Sequence, residues 1–455
     1  MPRVLLIRPL CEGDEPEFAE PLGIERLAGY LRTHGIDDVT VLDRRLYQLE
    51  QRAGTSRGSF WGDVRTRFGA VPPDVVGLSL MTASDVPDGL RILSRIRSWW
   101  PQARLAAGGL FVTSCADEAE RRLPKVVTLL SGEGELALLA FARNDPPPAQ
   151  AIPSPDDWAP AYRPVVERYA TLGCAVNMQT SRGCPGACAF CATPRLPASL
   201  RVWQPRDLGL VVDEIQHEAA RLQAAGLPPI FNFVDDDFGP LTRIEALARE
   251  LGRRHLRIAF ALEMRLASLI GQDRLASRLA CLHEMGLARV FVGVESLDPR
   301  TLRRWHKPYD LAALPDVLDA LSQAGVSVQA GYILWHRDQT VAGALEEVEG
   351  LRQLGLYSHR AALSRLIVFA GCALAQDPCD EHGYQRMAPE AEAFYRRFAE
   401  ESAELAPAWA QAAIAEPHAA AQALLTGDDT RLMAIRSELA EVNERSYELF
   451  RRLVP

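Results

Sequence analysis

The chain has 455 residues, of which 48% are hydrophobic and 24% charged, and its formal net charge is −9. This composition indicates a globular protein of two or three domains and excludes a collagen-like or disordered chain. The acidic balance argues against a broad nucleic-acid footprint and leaves room only for a local basic groove.

The N-terminal apolar run stops at Arg8 and Pro9, which predicts a first β-strand rather than a signal peptide. No apolar run in the sequence is long enough to span a bilayer. The nine cysteines do not form a disulfide framework, so we expect reduced thiols and a cytoplasmic protein without a membrane partner.

Residues 1–143 alternate short β-branched runs with helical periods, which predicts a doubly wound (Rossmann-like) parallel sheet. The predicted strands are Val4–Ile7, Val39–Leu42, Val75–Leu80, Arg104–Ala106 and Val126–Leu129. The predicted helices are Leu22–Thr33, Val86–Trp99, Ala116–Leu123 and Glu135–Arg143.

Ligands of such sheets bind beyond the carboxyl ends of the strands. The loops expected there contain Arg8, Pro9 and Leu10; Asp43, Arg44 and Arg45; Ser79, Leu80, Met81 and Thr82; Gly108 and Gly109; and Gly132 and Glu133. Their glycines would let a ligand approach the backbone closely, although glycine also serves simply to make tight turns.

A proline-rich linker is predicted at residues 144–170, where Pro146, Pro147, Pro148, Pro153, Pro155, Pro160 and Pro164 are concentrated. A second β/α series follows over residues 171–375 and predicts a partial (β/α)6 barrel. Its strands are expected at Ala175–Gln179, Ile230–Val234, Arg257–Leu262, Arg289–Val294, Val326–Leu334 and Ala361–Phe369, and its helices include Leu208–Ala225, Arg243–Arg254 and Val341–Leu354.

Residues 376–455 have a helical pattern, which Pro389, Pro407 and Pro417 are expected to divide into separate helices. We expect this segment to cap the substrate opening. Tyr384, Tyr395, Trp409 and His418 are candidate substrate contacts, and core packing is the alternative role for the aromatic residues.

Cys184, Cys188 and Cys191 lie within eight residues, directly after the first barrel strand. Three thiolates suit a soft metal centre and are one short of the four that saturate a cubane cluster, so one iron would stay open to a ligand. A zinc site is the alternative, but it would require a fourth Cys or His, and none lies close in sequence.

The spacing Cys-x3-Cys-x2-Cys, with Ser181-Arg182-Gly183 before it and Phe190 within it, resembles the signature of the radical S-adenosylmethionine (SAM) superfamily. The resemblance implies that the three cysteines hold a [4Fe–4S] cluster whose fourth iron chelates SAM. Phe190 would shield the cluster from water. Later segments resemble the same family and imply SAM contacts at Asp235, Asp236, Arg265, Glu295 and Ser296.

A doubly wound domain before the barrel resembles the cobalamin-binding subgroup of that family. Pro21-Leu22-Gly23-Ile24, Asp74 to Ser79, Gly108-Gly109 and Gly132-Glu133-Gly134-Glu135 carry this resemblance. It implies a corrin held by the strand-end loops named above. The chain lacks an Asp-x-His-x-x-Gly element, so the Arg8–Leu10 or Ser79–Thr82 loop is expected to face the lower side of the cobalt.

The resemblance implies a monomeric enzyme that methylates an unactivated carbon of a small molecule, by way of a 5′-deoxyadenosyl radical and methylcobalamin. It would need a reductant such as flavodoxin or ferredoxin. One alternative is a cyclase or ring-rearrangement enzyme that binds cobalamin without methyl transfer. Methylthiotransfer would require further cluster cysteines beyond Cys11 and Cys115 in the first domain, and a plain electron or corrinoid carrier would not need six barrel strands.

The sequence departs from its relatives at Trp335, His336 and Arg337, where a Gly-x-Pro-Gly-Glu-Thr turn is usual, and at Cys372, where Pro-Gly-Thr is common. These residues are expected near the substrate mouth. They indicate either a specialised substrate or loop drift.

Overall fold

The computed structural model describes residues 1–11, 19–146, 154–196, 198–368, 372–380 and 383–455. The chain divides into two compact units. The first comprises Met1–Asn177 and Leu196–Asp207, and the second comprises Met178–Arg195 and Leu208–Pro455. The finer division into four segments stays a prediction, and Pro147, Pro148 and Pro153 of the predicted linker lie outside the described residues.

The first unit contains a parallel five-stranded sheet in the order β2-β1-β3-β4-β5. Its strands are β1 Val4–Arg8, β2 Val39–Asp43, β3 Val75–Ser79, β4 Arg104–Gly108 and β5 Val127–Leu130. All five residues of β1 are buried, as expected for a central strand covered on both faces. The predicted doubly wound sheet is confirmed, and its strand order reverses between β1 and β3.

Helices pack on both faces of this sheet around two apolar clusters, one containing Ile7 and Leu78 and the other containing Leu6 and Val41. The helices of the first unit are α1 Leu22–Thr33, α2 Arg44–Arg52, α3 Phe60–Phe68, α4 Val86–Trp99, α5 Leu110–Ser114, α6 Ala116–Arg122, α7 Gly134–Arg143, α8 Val166–Thr171 and α9 Ala198–Arg201. The bounds of α1 and α4 are those that the sequence predicts.

The second sheet has the order β12-β11-β10-β9-β6, and its pairs from β9 to β12 are parallel. The remaining strands are β6 Val176–Met178, β7 Ser181–Arg182, β8 Gln204–Pro205, β9 Ile230–Phe233, β10 Ala259–Arg265, β11 Leu287–Glu295 and β12 Ser327–Tyr332. Side chains alternate between the two faces, and Phe260, Leu262 and Met264 are buried while Glu263 and Arg265 are half-buried. We call the face that carries Glu263, Arg289 and Gln329 the inner face.

The helices of the second unit include α12, which packs on β11, and α14, which packs on β12. They are α10 Leu208–Ala224, α11 Leu241–Arg253, α12 Leu275–Glu284, α13 Pro299–Arg304, α14 Leu314–Gln323, α15 Val341–Gln353, α16 His359–Leu363, α17 Pro389–Glu401, α18 Ala406–Thr426 and α19 Thr430–Leu453. Across the described parts of the chain, we find no helix with the length and apolarity needed to cross a membrane.

Two local predictions in the second unit are wrong. The segment predicted as a sixth strand, Ala361–Phe369, begins within helix α16 and continues as single bridges, such as the parallel bridge of Trp335 with Arg365. Phe369 itself lies outside the described residues. Pro417 does not separate two helices but lies inside α18, whereas Pro389 and Pro407 stand at helix starts as expected.

Candidate active site

The cysteine loop follows β7 in the second unit and turns at two glycines. Gly183 has φ +74°, a left-handed conformation that favours glycine. A Cβ at Gly186 would lie 3.3 Å from the Sγ of Cys184 and 3.7 Å from the Sγ of Cys188. The backbone N–H of Gly186 donates to the Sγ of Cys184 at 3.3 Å. The two sulfurs therefore border a space that only glycine leaves open.

Cys191 continues this loop, because its N–H donates to the carbonyl of Cys188 at 3.1 Å. All three thiols are half-buried and free. The described residues contain no group of three or more His, Cys, Asp or Glu side chains arranged to hold a metal ion. A cubane cluster requires a different arrangement of thiols from a single metal ion, because each cysteine ligates a different iron.

Both acidic and basic side chains lie around the thiols. Burial raises the pKa of Cys184 to about 11. The backbone N–H of Gly186 and the positive charge of Arg265 lower this pKa, and the negative charge of Asp237 raises it. Burial also raises the pKa of Cys188, against the lowering effect of Lys307. A metal that binds here must therefore displace protons from the thiols.

Two aromatic rings and a histidine cover the loop. Phe190 packs edge-on against Trp305 with 5.5 Å between ring centroids, and Trp305 packs against His336 at 5.1 Å. The carbonyl of Trp305 accepts from the N–H of Ala189 at 2.9 Å. Burial lowers the pKa of His336 to about 4, and Arg304 lowers it further, so the imidazole is neutral at pH 7. Sequence reasoning singled out Phe190 and His336 but missed Trp305.

Asp235 braces the start of the cysteine loop. Its buried carboxylate accepts from the N–H of Thr180 at 2.8 Å and from the hydroxyl of Ser181 at 2.7 Å. Asp236 beside it is exposed. Asp235 thus positions the loop, and the SAM contacts expected at Asp235 and Asp236 stay predictions.

Arg265 ends β10 and acts electrostatically on both Cys184 and Cys188. Within the described residues, its side chain makes no hydrogen bond or ion pair. A guanidinium near the thiols can therefore bind a carboxylate such as that of an amino acid.

Glu295 and Ser296 at the end of β11 differ in what they contact. Glu295 has φ +68°, a strained conformation for a residue with a side chain, and its carboxylate pairs with Lys307 at 2.5 Å. Ser296 is buried, and its hydroxyl donates to Glu347 at 2.8 Å. Of the two, Glu295 lies toward the cysteine loop, since both Glu295 and Lys307 act on the thiol of Cys188.

In the first unit, the loops after β1 and β3 lie where the strand order reverses, which is the ligand crevice of such sheets. The side chain of Arg8 is buried and paired with Asp43 at 2.5 Å, so it is already engaged. Met81 is 45% exposed, and Leu80 beside it is buried. Gly109 has φ +103°, and a Cβ there would meet the carbonyl oxygen of Leu80 at 2.5 Å.

Two buried carboxylates hold these loops, and sequence reasoning missed both. Asp85 accepts from the backbone N–H of Met81 at 2.6 Å and of Thr82 at 3.0 Å, and Asp88 accepts from the N–H of Leu10 at 2.9 Å. The Thr-x-x-Asp spacing from Thr82 to Asp85 is a capping-box pattern that could have indicated the first of them. Gly132 and Glu133 follow β5 on the same edge, where the N–H of Gly132 donates to the hydroxyl of Thr113 at 3.0 Å.

Comparison with known proteins finds a family match, a similar curated protein and two similar solved structures. Residues 178–343 match the Radical SAM superfamily. The hopanoid C-3 methylase of Methylococcus capsulatus is 24% identical over 353 residues, which are 70% of this chain and 62% of that protein. The chain thus spans less than two thirds of the length of that relative.

Two solved structures share the fold. The cobalamin-dependent S-adenosylmethionine radical enzyme OxsB with aqua-cobalamin bound superposes with a TM-score of 0.72 at 14% identity, over 100% of this chain and 80% of that one. The radical S-adenosylmethionine methyltransferase TsrM of Kitasatospora setae, with cobalamin and a [4Fe–4S] cluster bound, gives a TM-score of 0.62 at 19% identity, over 82% of this chain and 77% of that one.

Proposed function

The chain carries a domain of the Radical SAM superfamily at residues 178–343, and from that premise we propose that it is a cobalamin-dependent radical SAM C-methyltransferase acting on a small molecule. The observation that carries this proposal is the cysteine loop, where the sulfurs of Cys184 and Cys188 border the space left open by Gly186. When bound, a [4Fe–4S] cluster supplies the electron that cleaves SAM, and cobalamin supplies the methyl group.

The residues around the loop fit these groups. Cys184, Cys188 and Cys191 would hold the cluster, with Phe190 and Trp305 excluding water from one side. Arg265 and Asp236 would orient the carboxylate and amino groups of SAM, and Glu295 would hold its ribose side. Asp235 and Ser296 would keep the two strand-end loops in position.

The strand-end edge of the first unit fits a flat cofactor. Leu10, Met81, Thr82, Gly132 and Glu133 would contact it, and Gly108 and Gly109 would let it approach the backbone. Arg8, Pro9, Ser79 and Leu80 would support that surface from below, since Arg8 and Leu80 are buried. Met81, the exposed side chain of the loop after β3, would contact the cobalamin.

The proposal extends to partners and location. The enzyme is a monomer that receives electrons from flavodoxin or ferredoxin and binds no nucleic acid, in keeping with a net charge of −9. It works in the cytoplasm, because a cluster held by thiolates requires a compartment that keeps thiols reduced.

Anaerobic reconstitution with iron and sulfide tests the cluster. We expect about four irons per chain in the wild type and 5′-deoxyadenosine when SAM and dithionite are added. Cys184→Ala, Cys188→Ala or Cys191→Ala should each abolish this cleavage, while Cys281→Ala, an exposed cysteine on α12, should leave it unchanged. Full SAM cleavage by any of the three loop variants would refute the assignment.

The reaction products test the methyl transfer. A methyltransferase forms S-adenosylhomocysteine alongside 5′-deoxyadenosine once its substrate is present. A product balance with 5′-deoxyadenosine alone would instead favour cyclisation or rearrangement.

A further inference from the structure

Lysine is almost absent from this chain. Of the 50 residues that are Lys or Arg, only Lys125 and Lys307 are lysines. Lys125 is exposed in the first unit, whereas the side chain of Lys307 in the second unit is only 17% exposed. An ammonium is a compact point charge and a guanidinium is a broad planar fork, so the two are not interchangeable in a confined space. The chain thus uses one of its two lysines where space is confined.

The turn that carries Lys307 is fixed against the cysteine loop. Helix α13 ends in a Schellman motif, in which the N–H of Lys307 donates to the carbonyl of Leu302 at 2.9 Å. His306 adopts the left-handed conformation of this motif, with φ +54°. The residue before it, Trp305, accepts from the N–H of Ala189 in the cysteine loop at 2.9 Å. The backbone therefore sets the position of Lys307 relative to the loop.

The ammonium group of Lys307 lies between a carboxylate, an aromatic ring and a thiol. Its Nζ is 2.5 Å from Oε1 of Glu295 and 5.9 Å from the centre of the Phe190 ring. Burial raises the pKa of Cys188, and the charge of Lys307 lowers it. The positive charge is therefore within electrostatic reach of a cysteine sulfur of the loop.

The backbone of β11 is adapted to this ion pair. A Cβ at Gly293 would overlap both the Nζ of Lys307 and the Oε1 of Glu295. Glu295 itself has φ +68°, a conformation that costs free energy for a residue with a side chain. Backbone strain of this kind is concentrated at functional sites. Both features of the strand bring the Lys307–Glu295 pair beside the cysteine loop.

We propose that Lys307 is a positioning residue that holds the carboxylate of Glu295 in place and supplies a positive charge beside Cys188 that favours the reduced state of a bound cluster. Three thiolates make the loop anionic, and reduction adds one electron from the reductant without forming or breaking a bond. A nearby ammonium stabilises the more negative of the two states. This inference rests on the proposed function, because that function requires the cluster.

A redox titration of the reconstituted full-length chain, without SAM and at one pH, tests this role. The electron paramagnetic resonance signal of the reduced cluster gives the midpoint potential. We expect Lys307→Met to lower the equilibrium constant for reduction about tenfold, which is about 59 mV for a one-electron couple. A unit charge about 10 Å away has an effect of this order inside a protein. Lys307→Arg keeps the charge and should retain most of the potential.

Glu295→Gln separates an effect of charge from an effect of structure. This variant removes the negative partner and leaves the ammonium of Lys307 in place, so the midpoint potential should rise, opposite to the change in Lys307→Met. A purely structural role would move both variants in the same direction, because each breaks the same ion pair. Lys125→Met is the matched control, since it removes the other lysine and should leave the potential unchanged.

Iron content and a thermal melt of each variant report whether the cluster and the fold are retained. If Lys307→Met holds no iron, the direction of the shift in Glu295→Gln decides. Unchanged potentials in Lys307→Met and Glu295→Gln, shifts of both in one direction, or an equal shift in Lys125→Met would overturn the inference.

Failure of this inference can be told from failure of the proposed function. A chain that cleaves SAM, but whose potential does not respond to Lys307→Met or Glu295→Gln, refutes the role of Lys307 alone. A chain whose potential depends on Lys307 but that never cleaves SAM refutes the proposed function alone. A chain that binds no cluster refutes both.

Discussion

At the scale of single residues, local spacing carries the strongest signal in this chain. The sequence alone indicates Cys184, Cys188 and Cys191 as cluster ligands, because their loop forms from adjacent residues, and that assignment stays a prediction. The sequence could not indicate Trp305, because it reaches Ala189 and Phe190 from more than a hundred positions away. Arg265 and Glu295 lie near the thiols, whereas Asp235 bonds to Thr180 and Ser181, and Ser296 bonds to Glu347 on α15. The SAM contacts expected at these residues stay predictions.

Gly186 is the residue whose replacement most directly tests the cysteine loop. In Gly186→Ala, the new Cβ would lie 3.3 Å from the Sγ of Cys184 and 3.7 Å from that of Cys188, within the space that a cluster needs. We expect the iron content after reconstitution to fall at least about twofold, with little change in the melting temperature.

Gly23→Ala is the matched control, because Gly23 lies on α1 with nothing within 4 Å of the added Cβ. Alanine in a helix is better than glycine by about 0.5–1 kcal/mol, so this variant should be slightly more stable and bind iron normally. Wild-type iron content in Gly186→Ala would show that the sulfurs do not need this space.

At the scale of elements, helices with a clear period and a defined start were predicted well, as α1 and α4 illustrate. The prediction of a strand beginning at Ala361 is wrong, because the conformation of this segment depends on residues that are distant in sequence. Ser358 caps α16 by accepting from the N–H of Ala361 at 3.1 Å, and the imidazole of His359 bonds to Ser446 on α19 at 3.0 Å. A run of apolar residues cannot reveal a helix that a segment almost ninety residues away stabilises.

The loop after β3 depends on one buried ion pair. Asp85 pairs with Arg45 at 2.7 Å and also accepts from two backbone N–H groups. Asp85→Ala removes the carboxylate from a buried ion pair and leaves the charge of Arg45 uncompensated by it, so we expect the free energy of unfolding of the first unit to fall by about 3–5 kcal/mol. Urea denaturation measures it.

An exposed pair in the same unit provides the comparison. Glu118 pairs with Arg122 at 3.0 Å across one helical turn of α6. Glu118→Ala should change the free energy of unfolding by less than about 1 kcal/mol, because solvent screens the pair. A loss in Asp85→Ala as small as that in Glu118→Ala would mean that Asp85 does not hold the loop.

At the scale of the whole molecule, the fold class can be predicted by counting β/α repeats, but the contacts between segments distant in sequence cannot. The sequence cannot show that α18 packs on β9, β10 and β11, nor that this helix brings Glu416 close enough to act on Arg289. Those facts come from contacts between segments more than a hundred residues apart.

The same interior makes the stability of the protein depend on pH. Burial raises the pKa of Glu263 from 4.5 to about 7, with Asp236 raising it further and Arg289 lowering it. Because the folded state holds this proton more tightly than the unfolded chain, Glu263 contributes its full stability below pH 4.5 and loses it as the pH rises through 7. The loss amounts to at most about 3 kcal/mol.

His336 has the opposite effect on stability. Its pKa is lowered from 6.5 to about 4, so the stability that it contributes to the folded protein is lost as the pH falls through that range. The contribution of Glu263 is therefore the difference between wild type and Glu263→Gln, measured by urea denaturation at pH 5 and pH 8. We expect the variant to gain stability relative to wild type at pH 8 and not at pH 5. An identical difference at both pH values would show that Glu263 titrates normally, as it would if solvent or a partner already satisfied its carboxylate.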